Sequence, residues 1–249
     1  MSRPLVAITA FSLAGALIGA VLWFPAGAAL RALPAPWTCA HAEGTVWRGR
    51  CGRLLADGRE AGEVAWRWQA LTLLRGDLAA TFNWSRAEDR LAGHALLSGR
   101  NLTLTDLRGQ LDAGSLRTLP VLPPRLASRL SRLDGRLRIG LDSVEMRGGR
   151  WSALRGTLEG GSIAWQSRER WDLGDLRVTF AGRPAAPLQG DVVDLGGPLE
   201  IRATLRLDTP PAWGLSGTVR ARDPAWTPRL AVFGAPDTQG RYPVSVEGR

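Results

Sequence analysis

Apolar and polar residues alternate along most of this chain. The clearest run is Leu199 to Asp208, where Leu199, Ile201, Ala203, Leu205 and Leu207 are separated by Glu200, Arg202, Thr204 and Arg206. Leu133 to Leu141 keeps the same period with Gly135 intruding, and Asp175 to Phe180 and Asn101 to Thr105 repeat it. Successive side chains of a strand point to opposite faces, so this period predicts strands with one apolar and one wetted face, the habit of antiparallel sheets. Breaks at Asp57-Gly58, Arg147-Gly148-Gly149, Gly160-Gly161 and Gly196-Gly197 supply turns between them. Many strands at this spacing predict an all-β, mostly antiparallel, curved β domain over residues 39–249.

Two segments break the period. Leu5 to Phe24 is a run of twenty residues with no charge, in which only Thr9 and Ser12 are polar. As a helix it is roughly 30 Å long, the thickness of a bilayer's hydrocarbon core, and Trp23 suits the interface. A single transmembrane helix over 5–24 is the favoured reading. A cleaved signal peptide, with Ala26-Gly27-Ala28 at the cleavage site, is the alternative, but signal cores usually run only about 7–15 residues. Residues 1–4, with Arg3 and the amino terminus, then form a cytoplasmic tail. Pro25, Pro34 and Pro36 mark 25–38 as a juxtamembrane linker, and everything after it lies outside the cytoplasm. The second break is 112–132, rich in proline, where Leu126, Leu130 and Leu133 recur at helical spacing after Pro124. A short amphipathic helix is expected there.

That helix separates two stretches that echo one another. Glu60-Ala61-Gly62-Glu63-Val64-Ala65-Trp66 returns as Glu159-Gly160-Gly161-Ser162-Ile163-Ala164-Trp165, and Gly76 to Phe82 returns as Gly174 to Phe180, at offsets of 99 and 98 (60 to 159, 76 to 174). A spacing held over both blocks predicts two pseudo-repeats, about 39–111 and 133–249, with 112–132 as connector. Repetition of this kind argues for architecture, with Trp66 and the Gly76 to Phe82 run as packing and turn positions.

Composition narrows the function. A formal charge of +9 is carried by 32 basic residues, all arginine, alongside 45% hydrophobic residues over 249 positions. The hydrophobic share supports a sizeable core. The absence of lysine reads as a codon bias that fills surfaces with arginine, and the basic balance is compatible with an anionic membrane nearby. Nucleic acid is not expected as a partner, because the anchor and the cysteines place the domain outside the cytoplasm.

The only cysteines are Cys39 and Cys51. In an exported domain such a pair most simply forms a disulfide, closing a short loop worth on the order of 3 kcal/mol. Cys39, His41 and Cys51 as zinc ligands, or two separate thiols, are the other readings; zinc lacks a fourth ligand at matching spacing. His41 and His94 have no catalytic neighbourhood, and the chain has no nucleophile elbow, zinc helix or P-loop. Acidic residues such as Glu200, Asp208 and Asp175 alternate with arginine on wetted strand faces, as cross-strand partners do. No enzymatic activity, catalytic residue, cofactor or metal is expected.

The order of these features resembles the type II secretion system protein N family, the general secretion pathway N component of Gram-negative bacteria. The resemblance rests on a short N-terminus with one anchor, then Gly44-Thr45-Val46-Trp47-Arg48-Gly49 and the strand bearing Trp66. It continues through Leu74-Arg75-Gly76-Asp77-Leu78, Leu133-Asp134-Gly135-Arg136-Leu137 and the glycine-rich second half. It covers nearly the whole chain. It implies a cell inner membrane protein, single-pass, with its C-terminal domain in the periplasm and other inner-membrane type II secretion components as partners. It carries over no catalytic residues. A sheet with one apolar face also looks like the groove-shaped domains of AsmA-type lipid-transfer proteins. That likeness implies a second role as a lipid-binding module, with phospholipid or acyl chains in an apolar trough. Where the alternating leucines point, into a sealed core or an open trough, separates the two.

Overall fold

A computed structural model describes residues 19–20, 22–31, 36–115, 132–166, 170–182, 187–208 and 212–248. Its thirteen strands form one sheet in strict chain order, every neighbouring pair antiparallel. The first six are β1 (Trp37–Gly44), β2 (Arg48–Ala56), β3 (Arg59–Trp68), β4 (Asp77–Arg86), β5 (Asp89–Ser98) and β6 (Asn101–Asp112). The remainder are β7 (Leu133–Arg147), β8 (Arg150–Gln166), β9 (Arg170–Ala181), β10 (Leu188–Asp194), β11 (Leu199–Leu207), β12 (Trp213–Ala221) and β13 (Tyr242–Gly248). The all-β, antiparallel expectation is met, and the sheet is open.

Pairing register turns the alternation into two continuous faces. On β11 and β12, Leu199, Ile201, Ala203, Leu205 and Leu207 lie opposite Ala221, Val219, Gly217, Leu215 and Trp213. Directly opposed residues share a face. The same face continues through Val192 and Val178 to Leu158 and Ile139, and on to Leu91, Trp84 and Val64. Its centre is the main core, where Leu107, Leu141, Val144, Leu154, Phe180 and Leu188 are buried. Thirteen strands exceed the roughly ten that twisted open sheets carry without curling. Register breaks in the β2–β3, β5–β6, β7–β8 and β8–β9 pairs are where strands bend.

A second core closes one corner. The short helical stretch after β12, comprising Pro224–Trp226, Thr227–Leu230 and Ala231–Phe233, lays Trp226 and Leu230 on Leu199, Ile201, Val219 and Tyr242. Asp223 starts it by accepting the Ala225 N–H. Trp171 meets Trp226 edge-on, with ring centroids 5.8 Å apart.

The expected transmembrane helix falls mostly outside the described residues. Of its span, Gly19, Ala20 and Leu22 are helical, and the Trp23 N–H donates to the Gly19 carbonyl at 3.0 Å. Among the described residues no helix is long and apolar enough to cross a membrane. Beyond Pro25 the stretch read as linker forms helix α1 (Ala26–Leu30), with Ala26 fully buried and Gly27 close to Ala42. The amphipathic helix expected near Leu126 and Leu130 also lies outside the described residues.

The repeat is not confirmed as a structural unit. Its blocks do fall on successive strands: Glu60–Trp66 on β3 and Glu159–Trp165 on β8, with the second blocks running into β4 and along β9. Their pairing differs, however. Trp66 lies opposite Phe82, whereas Phe180 lies opposite Gly156 and Trp165 opposite Trp171. A 3-10 helix, Ala70–Arg75, joins β3 to β4, while β8 and β9 are joined across 167–169 alone. The echo is one of sequence along strands, and it does not extend to register.

Candidate interaction surfaces

Cys39 on β1 and Cys51 on β2 are joined in a disulfide across the first hairpin. Cys39 lies opposite Leu54 and Cys51 opposite Ala42, so the bridge runs diagonally between paired strands. Cys51 is 1% exposed. The bridge takes both sulfurs, which removes the zinc reading that joined them to His41. His41 sits at φ 61 in a break of the β1–β2 register and is exposed. His94 projects from β5 opposite Thr81 and Thr105, also exposed. Among the described residues no His, Cys, Asp or Glu cluster has a metal-binding arrangement.

The polar face carries a lattice of arginine–carboxylate pairs. Glu159 meets Arg177 at 2.8 Å and Arg138 at 3.5 Å, and Arg108 meets Asp142 at 2.7 Å. Glu200 is more enclosed than these, ringed by Arg220, Arg202 and Arg241 from β12, β11 and the approach to β13. Cross-strand pairing therefore accounts for Glu200, which lies opposite Arg220. Asp175 does something else: its carboxylate accepts the Ser162 N–H at 2.7 Å, holding the bulge at Ser162, whose φ is 52. Hollows of about 770 and 880 Å³ indent this face, lined by side chains such as Gln110, Arg138 and Glu159 in the first and Arg202, Thr204 and Ser216 in the second. Their walls include arginine–carboxylate pairs, Arg138 with Glu159 in the first and Arg202 and Arg220 with Glu200 in the second.

Asp194 is the carboxylate most shaped by its surroundings. Burial pushes its pKa up, but the Ile201 N–H, the Arg222 guanidinium and the Gly196 N–H together outweigh that and hold it below the ordinary value. Arg222 reaches it at 2.6 Å and also donates to the Leu199 carbonyl at 3.0 Å. This knot ties the β10–β11 turn to the end of β12.

The apolar face is filled at its centre by its own side chains. Phe180 and Leu188 are 3% exposed, and Phe180 lies over Gly190, its directly opposed residue on β10. Trp66 lies over Gly49 in the same way and donates its indole N–H to the Val46 carbonyl at 2.8 Å. The alternating leucines of β6 to β10 thus point into a packed core, and nothing here favours an open trough for acyl chains.

Two backbone edges bound the sheet. On the β1 side, the α1 helix packs against β1 and β2, and Pro25 bridges Thr45 just beyond the end of β1. β13 ends the sheet on the other side, with Ser245, Val246 and Glu247 exposed and Pro243 within it. Proline is tolerated in an edge strand whose N–H faces away from the ladder.

One feature was missed by the sequence pattern. Between β3 and β4, Ala70–Arg75 forms a 3-10 finger that exposes Leu71 at 79% and Leu74 at 85%. Its shape is fixed. The Thr72 hydroxyl donates to the Gln69 carbonyl at 2.7 Å and accepts the Ala79 N–H at 3.3 Å, and Gly76 caps it in the left-handed region. The signal available in sequence was three leucines in a segment too short for another strand.

A family model described as Type II secretion system (T2SS), protein N, matches residues 35–245, from just before β1 to within β13. No curated protein and no solved structure matches the chain.

Proposed function

The chain belongs to the type II secretion system protein N family, and on that premise we propose that it is a non-catalytic, membrane-anchored component of the type II secretion machinery. In this reading it works through protein–protein contacts. The family match carries the proposal, because it spans nearly the whole sheet. Three features support the finer reading. The apolar stretch 5–24 is long enough to span a bilayer. A buried disulfide belongs to an oxidising compartment, which supports a periplasmic sheet on an inner-membrane anchor. Among the described residues β13 is the last strand of the sheet, and an edge strand is where a partner's strand adds. Partners are then other inner-membrane components of the same machine.

The test is genetic and biochemical together. Deleting the gene lowers the amount of exported enzyme reaching the medium, and a tagged chain cross-linked in its own cells recovers secretion components. Normal export in the deletion strain, with none of those components recovered, refutes the reading.

A further inference from the structure

An antiparallel meander sends alternate turns to opposite ends of the sheet. The end that carries the β1–β2 turn also carries the β3–β4 finger, the β5–β6 turn at Gly99-Arg100 and the β7–β8 turn at Gly148-Gly149. The chain from the apolar N-terminal stretch arrives at this same end. The Phe24 carbonyl accepts the Val46 N–H at 2.9 Å, and Pro25 bridges Thr45.

This end combines exposed apolar side chains with arginine. Its exposed apolar side chains include Trp23 at 80%, Leu71 at 79% and Leu74 at 85%, with Leu78 and Leu97 also exposed beside the finger. Its first four turns, 45–48, 69–76, 98–101 and 147–150, hold Arg48, Arg75, Arg100, Arg147 and Arg150 and no acidic residue, although Glu145 beside them meets Arg147 at 3.4 Å, Asp77 follows the finger and Asp208 opens a later turn at the same end. Turns at the opposite end hold Asp57 and Glu88. Neighbouring turns on the arginine-rich end also touch, the Gly148 N–H donating to the Arg100 carbonyl at 3.2 Å.

We infer that this end is an interfacial docking surface for an anionic phospholipid bilayer, the same one that holds the N-terminal stretch. Leu71 and Leu74 enter the boundary between headgroups and acyl chains, about 5–10 Å deep, and the turn arginines lie on lipid phosphates. Exposed leucines on a loop stiffened by its own hydrogen bonds fit a role in which the loop is presented to an apolar phase. Arg48, Arg75 and Arg100, in turns that hold no acid of their own, fit phosphate, which the planar guanidinium fork binds in pairs. The inference rests on the anchored reading for its choice of membrane, since the chain emerging at Phe24 sets where that bilayer lies.

The full chain has only two cysteines, both in the disulfide, so one added cysteine gives a unique label. Leu74→Cys and, at the opposite end, Glu88→Cys are each labelled with an environment-sensitive dye. Each is reconstituted in vesicles of neutral phospholipid with and without phosphatidylglycerol, with spin-labelled lipid as quencher. The expected result is a blue-shifted Leu74 label quenched at least roughly twofold more than the Glu88 label, as shallow insertion requires. Adding Arg75→Glu and Arg100→Glu lowers that quenching in the anionic vesicles. A Leu74 label that lipid quenches no more than the Glu88 label overturns the proposal. So does one shielded from aqueous iodide yet untouched by lipid quencher, which assigns the finger to a protein. Resistance to alkaline extraction reads the anchor separately. A chain that is extracted but still shows Leu74 quenching at neutral pH keeps this surface and loses the anchor.

Discussion

Phe180 and Gly190 give the sharpest test of how the apolar face is packed. A Cβ added to Gly190 would sit 2.6 Å from Cε1 of Phe180 and 2.8 Å from its Cδ1, with the ring itself 3% exposed and boxed in by its neighbours. Gly190→Ala therefore forces the ring out of place, an overpacking cost of about 1–3 kcal/mol. Alanine also restricts the unfolded chain, which offsets about 0.4–1 kcal/mol, since Gly190 does not occupy a glycine-only conformation. The net loss is about 1–2 kcal/mol, a fall in Tm of about 2–8 °C for a domain of this size. Phe180→Ala alone removes a buried ring and costs about 3–5 kcal/mol.

The informative measurement is the combination. With the ring gone, Gly190→Ala has nothing to strike, and its unfolded-state effect should stabilise by about 0.4–1 kcal/mol. The sign of one substitution reverses with the residue at 180, a coupling of about 1–3 kcal/mol. Urea unfolding of the chain in mild detergent, followed by the fluorescence of its eleven tryptophans, gives the four stabilities needed. Phe180→Leu serves as a milder background should Phe180→Ala leave too little folded protein. If Gly190→Ala costs the same whether or not the ring is present, the ring-over-glycine packing is not what holds this part of the face together.

Three further outcomes follow from the same structure. Replacing both Cys39 and Cys51 with serine lowers stability by about 2–3 kcal/mol in denaturant titrations, and because Cys51 is 1% exposed, reductant acts on the native chain only as fast as the first hairpin opens, which thiol trapping over time measures. The Asp194 pKa is depressed on folding, so its contribution is present above the ordinary carboxylate value near 3.8 and is lost as pH falls through the folded one; Asp194→Asn should lower stability at pH 7 by about 1–3 kcal/mol and flatten the acid limb of a stability–pH curve below pH 4. Arg50→Ala, which breaks an exposed pair with Glu43, should change stability by less than about 0.5 kcal/mol, whereas Glu200→Ala strands three arginines around a site 11% exposed and costs about 2 kcal/mol or more by thermal unfolding.

Much of the fold is legible in the alternation because a period of two has only one structural meaning when it is long. The runs 199–208, 133–141, 175–180 and 101–105 became β11, β7, β9 and β6. Register was not legible. It depends on bulges at residues such as Asp106 and Ser162, at φ 51 and 52, the second held by the Asp175 carboxylate from the next strand. Glycine misled in one respect: Gly160-Gly161 reads as a turn, yet both lie within β8 at a break in its register with β9, and Gly49 and Gly190 likewise lie within strands, as floors beneath Trp66 and Phe180. A residue that leaves room for a ring on the next strand has the same letter as one that turns a corner, and only pairing tells them apart. The echoed blocks mislead likewise, since similar strand sequences pair in different registers. Of the surfaces, the cysteine pair was readable from spacing and compartment. The finger was not, because Leu71 and Leu73 fit a strand spacing while Leu71 and Leu74 fit a helical one, and so short a segment does not decide between them.

The two ends of the sheet constrain where a partner can act. With the arginine-rich end against the bilayer, strands run away from the membrane, and β8, at seventeen residues, reaches about 56 Å from it. In the proposed reading β13 is the place for strand addition. β13 is only seven residues long and finishes at the membrane-facing end, so its exposed backbone spans about 23 Å. A partner strand added there must put apolar residues opposite Val244 and Val246 and polar ones opposite Ser245, because paired residues share a face. It must also lie close to the same bilayer. Those two requirements favour another membrane-anchored component of the machine over a substrate in transit, and they predict that cross-links from Ser245 and Val246 fall on a partner's residues just beyond its own membrane span.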